Sequence, residues 1–207
     1  MGERKVLDLL AAGARVAVVS PFLTPALEAL AARGQIRHLA EKFAPAQVEG
    51  MALVLGATDD PQVNALVSAA AQERGIWVNI ADAPELCTFI VPSQVRRGDL
   101  TLAVSTGGAS PALARRLREE LEAVIGPEYG PYAALLKSIR AEVLAPRRGH
   151  PDNAALFGRL VSGPLKEALA RADEAGVVRI LTDILGEVLP PGTLAALARQ
   201  ALTKKED

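Results

Sequence analysis

The stretch Met51 to Ile80, MALVLGATDDPQVNALVSAAAQERGIWVNI, decides the fold. Met51 to Gly56 is a short apolar run of the kind buried on both faces of a parallel sheet. Asp60-Pro61 opens a helix, because an acceptor side chain at the cap and a proline in the first helical position both suit an N-terminus. That helix ends before Gly75, and Ile76 to Ile80 (IWVNI) is a second strand. A helix between two such strands predicts a parallel crossover, since antiparallel neighbours need only a tight turn.

The same alternation extends upstream. Val6 to Ala12 reads as an amphipathic helix stopped by Gly13, and Arg15 to Val19 (RVAVV) as a buried strand. Thr24-Pro25 opens a helix that closes near Gly34, and Ile36 to Leu39 is a weak strand. Residues 1–91 are therefore expected to form a doubly wound, Rossmann-like α/β domain of the nucleotide-binding type. Such a domain starts with a strand and a glycine-rich turn, and that strand lies at the centre of the sheet. This chain opens inside what reads as the first helix, so the first strand and its loop are expected to be missing ahead of Met1.

Downstream the pattern changes. Asp99 to Ser105 (DLTLAVS) alternates like a strand, a helix runs from Pro111 to about Val124, and Gly126-Pro127 breaks it. Helical segments are expected over 129–144 and 153–173, with Pro146 and the RRGHPDN stretch as the linker between them. The last third is rich in Ala and Leu, with Pro190-Pro191-Gly192 as a turn. Three parts follow: 1–91, a small α/β segment over 92–145, and a helical domain over 146–207.

Composition narrows the function. The chain has 207 residues, 50% of them hydrophobic, and a net charge of −1, which is enough apolar material for one core and an appendage. Near-neutral charge and only 3% aromatic residues leave neither a basic footprint nor a stacking surface for nucleic acid. The single cysteine, Cys87, cannot close an intrachain disulfide, and no leader opens the sequence, so a cytoplasmic location is expected. No run of about 18 uncharged apolar residues suggests a membrane span.

Between the Asp99–Ser105 strand and the following helix stands Thr106-Gly107-Gly108-Ala109-Ser110-Pro111. Ser110 reads as the helix cap and Pro111 as the first helical residue, so backbone N–H groups point back into the loop. The glycines allow close approach of a ligand, and Arg115, Arg116 and Arg118 follow. The loop is thus a cradle for negatively charged groups. Arg116 and Arg118 read equally as a solvated helix face paired with Glu119 and Glu122.

These residues match a known pattern. Glu3-Arg4-Lys5-Val6, Ala12-Gly13-Ala14-Arg15-Val16, Ala57-Thr58-Asp59-Asp60-Pro61 followed by Asn64, Val78-Asn79-Ile80-Ala81-Asp82, and Val104-Ser105-Thr106-Gly107-Gly108 with Ser110 to Arg115 occur in order. Together they closely resemble precorrin-2 dehydrogenase, the sirohydrochlorin-forming module that is also the N-terminal half of siroheme synthase. The resemblance runs from residue 1 to about 125 and more loosely to about 170. It implies NAD as cofactor and hydride removal from precorrin-2, with loss of a proton.

The resemblance places the family's active-site aspartate on Asp82, just past the end of the Ile76–Ile80 strand, where ligands sit in open α/β sheets. Its other reading is a cap before Pro84. Asn79 is expected to orient substrate or Asp82, or else only to bond backbone. Cofactor contacts fall on Met1 and Gly2, on Ser20, Pro21 and Phe22, and on Thr58 and Asp59, with Asp60 read as a helix cap. No carboxylate ends the Arg15–Val19 strand, so Ser20 or backbone must serve the ribose. Substrate carboxylates are expected at Ser105, Thr106, Gly107, Gly108, Ser110 and Arg115, with Arg96 and Arg97 nearby in sequence.

The resemblance also implies a homodimer through 92–145, and iron insertion in some members. No fixed metal site is legible: His38, His150 and Cys87 are scattered. Two other readings stay open, a tetrapyrrole-binding protein without catalysis and an NAD-sensing regulatory domain.

Overall fold

The computed structural model describes residues 2–39 and 41–203. The chain divides into two compact units, one up to Val91 and one from Pro92 onward. In the first, elements alternate as expected: α1 (Gly2–Ala11), β1 (Val16–Val19), α2 (Pro25–Ala32), β2 (Ile36–Leu39), a 3-10 turn (Pro45–Val48), β3 (Leu53–Gly56), α3 (Pro61–Gln72), β4 (Trp77–Ile80) and a second 3-10 turn (Pro84–Leu86). Caps set the helix starts. Thr24 Oγ1 accepts from Leu27 N at 3.4 Å, and Asp60 Oδ1 accepts from Gln62 N at 2.8 Å and Val63 N at 3.3 Å.

All strand pairing in this unit is parallel. β1 pairs with β2, Val16 opposite Ile36, and β3 pairs with β4, Leu53 opposite Trp77 and Gly56 opposite Ile80. The pairs are separate two-stranded sheets rather than one continuous sheet. Each pair has its own core: Val6, Leu27, Leu30 and Ile36 beneath one, Val67, Ala71, Val78 and Ile80 beneath the other. Gly56 allows close packing here, because a Cβ there would stand 2.5 Å from Ile80 Cδ1, a terminal carbon that is itself buried.

Boundaries differ from expectation in identifiable ways. α1 begins at Gly2 rather than Val6, since its first turn, Gly2 to Lys5, carries no apolar residue for periodicity to register. The paired parts of the strands start one or two residues late, after Arg15, Ala52 and Ile76.

The second unit opens with an antiparallel hairpin, β5 (Ser93–Arg97) and β6 (Leu100–Val104), joined by Gly98-Asp99. Gly98 has φ 56°, which suits glycine at the first central position of a two-residue hairpin turn. β5 was not expected, because in SQVRR only Val95 is buried. Asp99 lies in the turn and not in the strand.

Among the described residues six helices follow: α4 (Pro111–Val124), α5 (Tyr129–Arg147), α6 (Asn153–Ser162), α7 (Leu165–Ala170), α8 (Glu174–Leu185) and α9 (Pro191–Thr203). Leu135, Ile139, Val143, Leu160, Leu165, Val177, Leu181, Leu185 and Leu194 form their common core. Two expectations are corrected here. Pro146 lies within the last turn of α5, where the missing N–H and the ring weaken the helix one residue before it stops, so the linker starts after Arg147. The single segment 153–173 is two helices, broken at Gly163-Pro164, where Gly163 is extended.

Candidate functional site

Carboxyl ends of β1, β3 and β4 meet the first turn of α1. Lys5 Nζ, on α1, donates to Asn79 Oδ1 at 2.8 Å, at the end of β4. Glu3 Oε2 accepts from Thr24 Oγ1 at 2.6 Å, beyond β1. A Cβ on Gly2 would stand 3.8 Å from the Cβ of Ala57, beyond β3. The first-turn N–H groups of α1 have no acceptor within the helix. Met1 lies outside the described residues.

Beyond β1, Ser20 N extends the ladder to Leu39 O at 3.1 Å, and His38 Nε2 lies 2.8 Å from Ser20 O. Ser20 Oγ donates to Phe22 O at 2.6 Å, which closes the Ser20-Pro21-Phe22 turn and turns its phenyl ring, 86% exposed, to solvent. Beyond β3, Thr58 O accepts from Asn64 Nδ2 at 2.9 Å and Thr58 Oγ1 accepts from Asp60 N at 3.2 Å. Asp59 is exposed on that turn.

Near the end of β4, Asn79 is buried and held at both ends of its amide. Besides Lys5, its Nδ2 donates to Phe89 O at 3.1 Å. Asp82 follows in the left-handed region with φ 59°, its side chain exposed. It caps nothing: the 3-10 turn before Leu86 is entered from Ala83, without a side-chain cap.

Lys5 was not picked out from sequence. Burial pushes its ammonium below the ordinary lysine range, Arg4 adds to this, and the nearby Cys87, Asp82 and Asp8 oppose it. The legible signal is a pair of cations, Arg4-Lys5, in the first turn of a helix, where the macrodipole disfavours them.

The second unit holds the other predicted residues. Thr106 Oγ1 accepts from Ser110 N at 3.0 Å and donates to Ser110 O at 3.1 Å. Ser105 Oγ accepts from Gly107 N at 3.2 Å, and Ala109 N donates to Thr106 O at 3.0 Å. Gly107 and Gly108, at φ 60° and 88°, make the reversal that these bonds close. Ser110 Oγ caps α4 by accepting from Leu113 N at 3.2 Å, as its sequence position predicted. Arg115 stands on the exposed helix face with Glu119 at 3.0 Å, beside the Arg116–Glu120 and Arg118–Glu122 pairs. The hydroxyls of Thr106 and Ser110 therefore shape the loop, while the glycines leave its backbone open.

The residues at the strand ends fit a dinucleotide. They provide first-turn N–H groups without helical acceptors, a glycine in close approach and an exposed aromatic ring, while Ser20 and backbone stand at the end of β1 in place of a ribose-binding carboxylate. Among the described residues, no group of three or more His, Cys, Asp or Glu is placed to hold a metal ion, and no helix is long and apolar enough to cross a membrane.

Comparison with known proteins agrees with this geometry. Residues 1–93 match a family described as NAD(P)-binding, and residues 97–123 match the central region of sirohaem biosynthesis proteins. A siroheme synthase of Methylobacillus flagellatus is 54% identical over 143 residues, 69% of this chain and 31% of the relative. Siroheme synthase 1 of Aeromonas salmonicida is 43% identical over 188 residues, 90% of this chain and 40% of the relative. The chain thus spans less than half the length of these relatives. A solved structure of SirC, precorrin-2 dehydrogenase, superposes with a TM-score of 0.72 at 25% identity, covering 88% of each chain. Sequence and fold together make the chain a member of the siroheme synthase family, corresponding to its N-terminal, dinucleotide-binding module.

Proposed function

We propose that this chain oxidises precorrin-2 to sirohydrochlorin with NAD⁺. The observation that carries the reading is the convergence of three parallel-strand ends on the first turn of α1, with Asp82 held in a left-handed turn one residue past Ala81. NAD⁺, when bound, accepts the hydride. The first-turn amides of α1 and the Thr58-Asp59 turn hold its phosphates and the adjoining ribose, and Ser20 to Phe22 receive the adenosine end. Asp82 takes the proton that the macrocycle loses. Asn79, tied to Lys5 and Phe89, contributes a fixed wall rather than a mobile ligand.

Acetate and propionate groups of the substrate go to the backbone of Ser105 to Ser110, with Arg115 exchanging its surface partner Glu119 for a carboxylate. Two copies associate through residues 92–145, which the exposure of Leu113, Leu117 and Val124 on α4 supports. The protein works in the cytoplasm. Iron insertion belongs to the same reading: the macrocycle holds the metal and the protein needs only a base for the pyrrole protons.

Anaerobic incubation of the purified chain with precorrin-2 and NAD⁺ tests this. Stoichiometric NADH and the sirohydrochlorin spectrum are expected, and ferrous iron added afterwards reads out chelation. Tight binding of the tetrapyrrole with no NADH formed would replace the reading by a non-catalytic one.

A further inference from the structure

The left-handed backbone at Asp82 needs something to hold it. A non-glycine residue at φ 59° persists only where its neighbours fix the chain on both sides. On one side, Ala81 N donates to Gly56 O at 2.8 Å. Both flanks also converge on a single side chain, that of Cys87. Its Sγ accepts from Ile80 N at 3.1 Å and lies 3.3 Å from Ile80 O and 3.3 Å from Ala83 O. Ile80 and Ala83 bracket Ala81-Asp82. A thiol carries one proton and accepts others, so it donates to one carbonyl at a time while receiving the Ile80 amide.

The next residue continues the arrangement. Thr88 Oγ1 accepts from Val78 N at 2.8 Å, and Thr88 N donates to Val78 O at 2.8 Å. Cys87 and Thr88 therefore stand where a further strand would pair with the outer edge of β4. Thr88 satisfies the strand itself, whereas Cys87 reaches past the strand end to the turn.

We propose that Cys87 is the positioning residue for Asp82, its thiol tying together the two backbone segments that flank the aspartate and so fixing the direction in which its carboxylate leaves the turn. The proposal rests on the reading of Asp82 as proton acceptor. Cys87→Ala removes both bonding roles, Cys87→Val fills the space without them, and Cys87→Ser keeps donor and acceptor on a shorter bond.

Steady-state oxidation of precorrin-2 is measured for each variant. Cys87→Ala and Cys87→Val are expected to lose about tenfold in kcat, as displacement of a reacting group by less than 1 Å allows, with KM for precorrin-2 and affinity for NAD⁺ within about twofold of the parent. Cys87→Ser is expected to recover most of the loss. In an Asp82→Asn background, Cys87→Ala should add no further loss, because the thiol acts through the carboxylate. Unchanged kcat in Cys87→Ala, or full additivity with Asp82→Asn, overturns the proposal while leaving the oxidase reading intact. Should the parent chain not turn over, the oxidase reading fails alone. The clamp is then decided by NMR: in Cys87→Ala the Ile80 amide must exchange faster and the backbone coupling of Asp82 must leave its left-handed value, and unchanged values of both overturn it.

Discussion

Replacing Gly56 by alanine adds one methyl group at the point where β3, β4 and α3 pack most tightly. Its Cβ would meet Ile80 Cδ1 at 2.5 Å and Asn64 Oδ1 at 3.3 Å. Ile80 is only 2% exposed and sits among Val67, Ala71 and Val78, so its terminal methyl cannot swing into water. Either Ile80 leaves its rotamer or β3 and β4 part by a fraction of an ångström, at a cost of about 1–3 kcal/mol. Alanine also restricts the unfolded chain, which offsets about 0.4–1 kcal/mol of that. Gly56 is not among the glycines with positive φ, so no backbone penalty is added. The net expectation is about 0.5–2 kcal/mol of destabilisation, confined to the first unit.

The assay follows from the sequence: Trp77, the one tryptophan, begins β4 and reports on that unit, while far-ultraviolet circular dichroism is dominated by the helices of the second. In urea, the fluorescence midpoint should fall and the main dichroism transition should stay. Equal fluorescence midpoints for the two proteins would refute the packing argument, and a matching fall in the dichroism transition would refute the independence of the units.

Four further outcomes are expected. Asp82→Asn should keep its fold, since asparagine tolerates the left-handed region, and should lower kcat by about 100-fold with little change in precorrin-2 KM. Thr106→Ala leaves Ser110 N without its acceptor and Ser110 O with Ala114 N alone, and should raise precorrin-2 KM at nearly constant kcat, whereas Thr106→Ser should behave as the parent in the same kinetics. Lys5, whose pKa is lowered by burial, binds its proton less tightly folded than unfolded, so the parent should gain stability as pH rises from the folded pKa towards 10.5; urea titrations should show this slope vanish in Lys5→Met. Tyr132→Phe removes the buried bond from its hydroxyl to Leu160 O at 3.1 Å and should cost the helical unit about 0.5–1.5 kcal/mol in chemical denaturation.

What was legible in the sequence was local. Asp60-Pro61 and Ser110-Pro111 announced helix starts through side chains that bond within three residues, and both cap as read. β3 and β4 were visible because both faces of a parallel strand are covered, so their residues run apolar without alternation. β5 was invisible for the opposite reason: a hairpin strand with one inward residue, Val95, presents as polar chain. Gly163-Pro164 was a breaker in plain sight. The helical composition on both sides hides it, although the residue before a proline is steered away from helix.

The site divides along the same line. Asp82, the proposed proton acceptor, could be picked out because the resemblance and its address past the end of a strand in an open α/β sheet point to the same position. The side chains packed around that strand end could not. Lys5 meets Asn79 across 74 positions, and the Cys87 thiol reaches back seven to Ile80, contacts that depend on where α1 and the Pro84–Leu86 turn come to rest. No pattern of residue types encodes such bonds, because each uses a side chain whose ordinary role is elsewhere, a helix-surface lysine or a small buried cysteine. In the proposed reading, two kinds of residue act at these strand ends. Asp82 and the Thr58-Asp59 turn are specified by topology. Lys5, Asn79 and Cys87 are specified by packing, and of these Cys87 bonds both segments that flank Asp82, so rate should respond to it more steeply than affinity does.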